Sequence, residues 1–482
     1  MIENAERIGT AIASPTKDFF VRMLTRDIEL QDALLDLLDN CVDGIVRAGT
    51  VEDGAGKPYS GFKATLTMAP THFIIEDNCG GIPIEVARKY AFAMGRPPTA
   101  GTTGQGATVG MYGIGMKRAI FKLGTEALVE SYHDTGFIVE FTPEWMRDDT
   151  WGELPMYELS DGKLPEKGTR IVVYQLNDEV KSSFSDSAWI DDFRRTVARH
   201  YSLIIAKGFS VTVGSPQEIE GSIAPIEAEN FKLIQTAAGQ IANVRIAPYV
   251  YAGKLGDVEV EIFAGLYREL LTEDEAEEEE EKETRGTSDD AGWTVACNDR
   301  VVIWKDKSRL TGWGEATVPN YHGQFIAITG IVLLRCDDPK KLPLTTTKRG
   351  IDAASNVYSE AKDLMRDATK NLTSFTNKWK KFPQKLEEIY QASEYIDLST
   401  LRSLPSTLPM TASRKISGVK KYEPKYPEPE QEKTSTRVSF VALKIDVATL
   451  AKHFFDDAKT KPGAVGEAAF DEALKAIKAR KK

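Results

Sequence analysis

The chain has few of the residues that build metal centres and disulfide frameworks. Its 482 residues include four cysteines, Cys41, Cys79, Cys297 and Cys336, far apart and without a C-x-x-C pair, so neither a disulfide scaffold nor a zinc knuckle is indicated. The five histidines, His72, His133, His200, His322 and His453, form neither an H-E-x-x-H helix nor a close pair, so a catalytic metal held by protein ligands alone is not expected. No apolar run has the length of a membrane span, and the opening "MIENAERIGTAIASPTKDFF" lacks the apolar stretch of a secretory signal. These absences predict a cytoplasmic protein with no membrane partner. A Walker loop, G-x-x-x-x-G-K-[ST], and an internal repeat are also missing.

The charge balance is less informative than its total. The net charge is −11, but "EDEAEEEEEKE", residues 273–283, holds nine acidic residues against one lysine, and the remainder is close to neutral. Such a run reads as a solvated loop, with a basic partner or autoinhibition as the sharper alternative.

What is present is a mixed α/β pattern. Residues 18–48 read as one helix, with Ile28, Leu30, Leu34, Leu35, Leu37, Leu38, Val42 and Ile45 at helical spacing and Asp36, Asn40 and Asp43 on one polar stripe. "FKATLTM" and "HFIIEDNCGGIP" read as a strand pair, and "IPIEVARKYAFAMG" as a helix. Residues 95–115 carry seven glycines in 21 positions, which predicts a mobile loop, followed by a short helix to about Leu123. The length and these patterns divide the chain into 1–184, a second α/β domain at 185–350 with an acidic loop at 271–290, a helical extension at 351–400, a Pro/Ser/Thr/Lys-rich linker at 401–435, and a small C-terminal piece at 436–482 that begins with strand-like "RVSFVALKI".

Three segments carry chemistry. Asp36 and Asn40 lie one helical turn apart, where an amide oxygen suits Mg²⁺ and a carboxylate can orient or deprotonate a water; a plain solvated helix face remains the alternative. Asp77-Asn78-Cys79-Gly80-Gly81-Ile82 places a carboxylate at a strand end, able to accept from an exocyclic amine such as adenine's, beside glycines that admit a flat ring; an ordinary turn is the alternative. "VGMYGIGMKRAI", residues 109–120, sets Gly110, Gly113 and Gly115 before Met116 and Lys117, and glycine amides at a helix start with a lysine suit a polyphosphate.

Taken in order, D-x-x-x-N-x-x-D, D-N-x-G-G-I, G-x-x-G-x-G-x-K and "GTRIVVYQL" at 168–176 resemble the GHKL ATPases: gyrase B subunits, ninety-kilodalton heat-shock chaperones, histidine kinases, MutL and MORC proteins. "DLLDNCVDG" and "VGMYGIGMKRA" are most similar to the MORC-like branch, and "LPLTTTKRGID", 342–352, resembles the transducer segment that returns a switch lysine, here Lys348, to the nucleotide. The resemblance implies a Bergerat-type α/β sandwich followed by a transducer-type α/β domain, with ATP and Mg²⁺ as cofactors. Carried over residue by residue, it implies Asp36 as general base, Asn40 as Mg²⁺ ligand, Asp77 as adenine reader, and Gly81 and Ile82 at the base pocket. Gly110, Gly113, Gly115, Met116 and Lys117 would lie at the phosphates, Thr169 would support Asp77, and Asp43 would be a further pocket residue.

Two positions depart from the family pattern. Asp36 stands where glutamate is usual, one methylene shorter, which predicts slow hydrolysis. Cys79 stands where the first glycine is usual, which is tolerated where the backbone does not need a positive φ. Cys41 and Cys79 read as small buried fillers, with a redox switch as the alternative. The implied mechanism is a nucleotide-gated lid at 95–110 and a homodimeric clamp, acting on DNA or on a protein client. The alternatives are an ATP sensor or scaffold with little hydrolysis, and a histidine kinase, which no histidine here favours. Basic "TNKWKKFPQK" and "KAIKARKK" are the candidate DNA contacts, with plain solvated surface as the alternative reading of short lysine clusters.

Overall fold

A computed structural model describes residues 16–47, 57–93, 114–147, 153–160, 164, 166–215, 218, 223–237, 245–271, 290–345, 350–380, 386–429, 439 and 441–480. They divide into two compact units, 1–428 and 429–482. The larger is mixed α/β, built on two large mixed sheets. Among the described residues, no helix is long and apolar enough to cross a membrane.

The first layer opens with α1 (Lys17–Arg26) and α2 (Leu30–Arg47), so the single helix expected over 18–48 is two, separated at Asp27–Glu29 without a glycine or proline to announce the break. Next come β1 (Lys63–Ala69) and β2 (His72–Asp77), paired antiparallel from Ala64↔Asp77 to Ala69↔His72. The expected helix after them is a single turn, α3 (Ile84–Val86), continued as a π-turn over Ala87–Ala91. Then follow α4 (Gly115–Leu123), β3 (Gly124–Tyr132), β4 (Gly136–Phe141), α5 (Pro143–Arg147), β5 (Met156–Glu158) and β6 (Gly168–Leu176). The helices α6 (Asp178–Ser185), α7 (Ser187–His200) and α8 (Ser202–Ala206) lead to β7 (Ser210–Gly214), which returns parallel to β1. The sheet order is β5-β4-β3-β6-β2-β1-β7.

Alternation places Leu66, Met68, Phe73, Ile75, Val129, Val139, Ile171 and Val173 on one face of this sheet, buried with Leu34, Leu38 and Val42 of α2. Val180 and Phe184 of α6, Ile190, Phe193 and Val197 of α7, and Val211 and Val213 of β7 belong to the same core. The boundary expected after residue 184 therefore falls inside one hydrophobic layer, which runs on to Gly214.

The second layer comprises β8 (Lys232–Thr236), β9 (Tyr249–Leu255), β10 (Val258–Leu266), β11 (Gly292–Cys297), β12 (Arg300–Asp306), β13 (Ile328–Arg335), α9 (Asn356–Trp379), α10 (Glu387–Gln391), β14 (Ser393–Asp397), α11 (Leu398–Thr407), β15 (Thr411–Ala412) and β16 (Val419–Tyr422). Its sheet runs β12-β11-β13-β10-β9-β16-β15, and β8 pairs with β14 apart from it. The expected helical extension is structural: Tyr358, Leu364, Met365, Ala368 and Leu372 of α9 close the core over this sheet. The linker expected at 401–435 is a correction as well. Leu401 and Leu404 of α11 are buried, and β16 pairs antiparallel with β9 from Val419↔Gly253 to Tyr422↔Val250. A prolyl composition misleads here because Pro405 is carried inside α11.

In the smaller unit, α12 (Lys444–Phe455) and α13 (Pro462–Arg480) pack on each other. The second half of "RVSFVALKI" thus leads into a helix rather than forming a strand. The acidic run 273–283 lies outside the described residues.

Candidate functional site

The site is organised by α2, whose apolar face is buried against the first sheet and whose opposite stripe carries the acidic residues. Asp36 is 2% exposed and Asp43 3%, while Asn40 is half-buried and makes no side-chain hydrogen bond to a described residue. Arg118 of α4 reaches Asp36: its Nε stands 3.2 Å from Oδ2, and its Nη2 donates to the same oxygen. At the start of α4, a Cβ on Gly115 would stand 3.4 Å from Asp36 Cγ, so the third segment approaches the first closely. Met116 packs half-buried against the first core. Lys117 is buried, and its Nζ donates to the Ala91 carbonyl at 2.9 Å. Burial pushes its ammonium down to about 8.

The second segment meets α2 from another side. The Cys79 N–H donates to Asp77 Oδ1 at 2.7 Å, and the Cys41 thiol, on α2, lies 3.5 Å from Oδ2. Desolvation pushes the Asp77 carboxyl up to about 6, against the opposing pull of these bonds and of the Thr169 backbone. The Cys41 thiol is pushed well above its ordinary value by its hydrogen bond with Cys79, then by burial and the Asp77 charge, which disfavours the thiolate.

The turn after Asp77 explains the cysteine at 79. Positive φ falls on Gly80 (95°) and Gly81 (67°), and Cys79 is not among the residues with positive φ, so its side chain brings no strain. At Gly81 a Cβ would fall 2.1 Å from the Tyr132 carbonyl oxygen. The Ile82 N–H donates to Ser131 Oγ at 2.9 Å, and Ser131 Oγ lies 3.0 Å from Thr169 Oγ1 and 3.2 Å from the Gly168 carbonyl. Thr169 stands opposite Asp77 in the β2–β6 register and reaches its carboxyl through the backbone, while its hydroxyl serves Ser131.

Asp36, Asn40, Asp43, Asp77, Gly81, Ile82, Gly115, Met116, Lys117 and Thr169 are therefore gathered around α2 and the adjoining ends of the central strands β2 and β6. Gly110, Gly113, Lys348 and the proposed lid at 95–110 lie outside the described residues. The flanks of Lys348 are described: Leu344 and Ile351 pair across its segment and are buried in the second core.

Sequence reasoning missed Arg118, Ser131 and Gly44. Gly44 is the close approach between α2 and the turn, since a Cβ there would meet the Cys79 carbonyl oxygen at 2.4 Å. A glycine inside an otherwise periodic helix was its signal. Arg118 and Ser131 carried none, because their partners lie 82 and 38 residues away in sequence. No protein-family model matches the chain, and no curated protein matches it.

Proposed function

We propose that the first layer is a nucleotide-binding domain of the Bergerat type and that the chain is a slow, Mg²⁺-dependent ATPase of the GHKL kind, similar to the MORC-like branch. The observation that supports this best is that one helix, α2, touches both of the other motif segments: α4 at Asp36 and the Asp77 turn at Cys41 and Gly44. That convergence is what a nucleotide needs, with base, phosphates and attacking water served from one rigid element.

The residues present fit Mg²⁺ in the way that ion is usually held. Among the described residues no group of three His, Cys, Asp or Glu forms a metal cage, and the Asn40 amide has no side-chain hydrogen bond to a described residue. Asn40 would thus share the ion with the phosphates, and the ion would neutralise phosphate charge. Asp77 would accept from the adenine amine, with Gly81, Ile82 and Asp43 bordering the pocket; the close approach at Gly81 itself is taken by the Tyr132 carbonyl, so the glycine there serves the packing of the turn on β3. Gly110, Gly113, Gly115, Met116 and Lys117 would hold the phosphates, and Lys348 would sense the γ-phosphate, as the resemblance implies. Asp36 orients the attacking water. The resemblance implies that 95–110 would act as a lid and that two copies would associate as a clamp on DNA or on a protein client.

A second reading, an ATP sensor or scaffold, is favoured by one feature: Arg118 already holds Asp36, the shortened base. Calorimetry with ATP and ADP, paired with a phosphate-release assay, separates the two. Binding with turnover supports the ATPase, binding without turnover supports the sensor, and absence of binding sinks both. Light scattering in apo, ADP and non-hydrolysable-analogue states tests the clamp, which an identical monomer mass in all three would remove. A salt titration of duplex DNA binding, with and without the analogue, tests the DNA effector.

A further inference from the structure

A second set of buried charges lies where the two layers of the larger unit meet. Arg300, the first residue of β12, is 1% exposed and donates from Nε to Asp39 Oδ1 of α2 at 3.0 Å. Its Nη1 donates to the carbonyls of His200 at 3.2 Å and Val301 at 3.0 Å, and its guanidinium lies 4.4 Å from the Tyr201 ring centre. Tyr201 Oη donates to the same Asp39 oxygen at 2.5 Å. Burial, with the Asp39 charge second, pushes the Tyr201 phenol well above its ordinary value, so it stays a donor.

The neighbouring residue repeats the pattern. Asp299 Oδ2 accepts from Lys207 Nζ, just past α8, at 2.6 Å. The turn itself is stiff: Asn298 and Asp299 both have positive φ, 47° and 65°, and the Asn298 amide both donates to and accepts from the Cys336 backbone at 3.0 Å.

We propose that Arg300 is a positioning residue for α2: the tip of the β11–β12 hairpin fixes the helix that carries Asp36 and Asn40, so the second layer sets the geometry of the candidate nucleotide site. What α2 does rests on the nucleotide reading above; that it is held does not. Asp39 lies three residues after Asp36 and next to Asn40, and a helix moves as a rigid body, so a displacement at Asp39 is felt at both. A buried ion pair adds little net stability over a well-packed apolar pair, whereas a guanidinium held by three acceptors and a ring fixes a direction.

The test compares wild type with Arg300→Met, Arg300→Lys and the double variant Asp39→Leu/Arg300→Met, which leaves no lone buried charge and keeps the fold where the single change does not. Without nucleotide, hydrogen exchange of the 36–43 amides in the double variant is expected to quicken by about tenfold while the β2–β6 ladder is unchanged. With MgATP, kcat is expected to fall roughly ten- to hundredfold with KM little changed, and Arg300→Lys to recover part of it. Unchanged exchange along α2 in the folded double variant overturns the proposal, as does unchanged kcat in a variant whose α2 has loosened. Quickened exchange in a chain whose wild type binds no ATP upholds the positioning and removes the nucleotide reading instead.

Discussion

Arg118 and Asp36, 82 residues apart in sequence, share a buried ion pair in which two guanidinium nitrogens address one carboxylate oxygen. The pair fixes α4 against α2 and holds the candidate base in one orientation. Removing Arg118 takes its guanidinium from a buried carboxylate, so Arg118→Met is expected to lower stability by about 3–5 kcal/mol, and the double variant Asp36→Leu/Arg118→Met by much less than the sum of the single changes. Urea denaturation of the three variants measures this; additivity would mean that the pair does not act as a unit.

The same residue separates chemistry from binding. Asp36→Asn keeps the shape of the side chain and removes its charge and basicity, so turnover should be lost while ATP affinity stays within a few-fold, with stability lowered because the buried Arg118 loses its carboxylate partner. Asn40→Ala and Asp77→Asn should instead weaken binding itself. Undiminished phosphate release by Asp36→Asn would refute the assignment of the base.

Asp77 makes a prediction that does not depend on nucleotide. Its carboxyl is raised to about 6 in the folded chain against 3.8 ordinarily, so the folded state holds the proton more tightly than the unfolded state. Its contribution to stability is present in full below pH 3.8 and is lost as pH rises through about 6. The loss is bounded at about 3 kcal/mol, and Asp77→Asn should remove it: more stable than wild type by roughly 1–3 kcal/mol at pH 7.5 without ligand, and equal to it near pH 4. Denaturation as a function of pH checks this, and parallel pH profiles for the two proteins would contradict it.

The sequence made local elements legible where periodicity and turn chemistry agreed. The amphipathic stripe of α2, the β1–β2 pair ending in Asp77, and the glycine turn at 80–81 were all readable from spacing alone. The layer boundary was not, because β7 joins the first sheet only through its parallel pairing with β1, a contact that no local pattern announces. The β15–β16 hairpin was hidden for a related reason. The lysines of β16 suit an exposed hairpin at the margin of a sheet as well as a linker, and only the pairing with β9 decides between them.

Lys117 supplies a test of the phosphate assignment. Burial lowers its ammonium to about 8, so near that pH a sizeable fraction is neutral in the ligand-free chain. A polyphosphate beside it favours the charged form, and binding ATP at pH 8 should take up roughly half a proton, an effect absent at pH 6.5. Calorimetry in two buffers of different ionisation heat measures the uptake, and Lys117→Met should abolish it. Equal uptake in wild type and variant would place the titrating group elsewhere.

Two helical glycines give opposite expectations for the same substitution. In α2, alanine at Gly44 would put its Cβ 2.4 Å from the Cys79 carbonyl oxygen, and backbone cannot swing aside as a side chain can. The helix must move off the turn, which costs about 1–3 kcal/mol and outweighs the gain of up to about 1 kcal/mol in helix propensity. In α13, Gly466 has nothing within 4 Å of its would-be Cβ, so Gly466→Ala keeps only the propensity gain. Native-state hydrogen exchange reads the two helices separately in one molecule: α2 should lose protection in the first variant and α13 gain it in the second. Because the movement forced at Gly44 separates Asp36 and Asn40 from the Asp77 turn, Gly44→Ala should also weaken ATP binding. A variant with loosened α2 and unchanged affinity would show that the nucleotide does not bridge the helix and the turn.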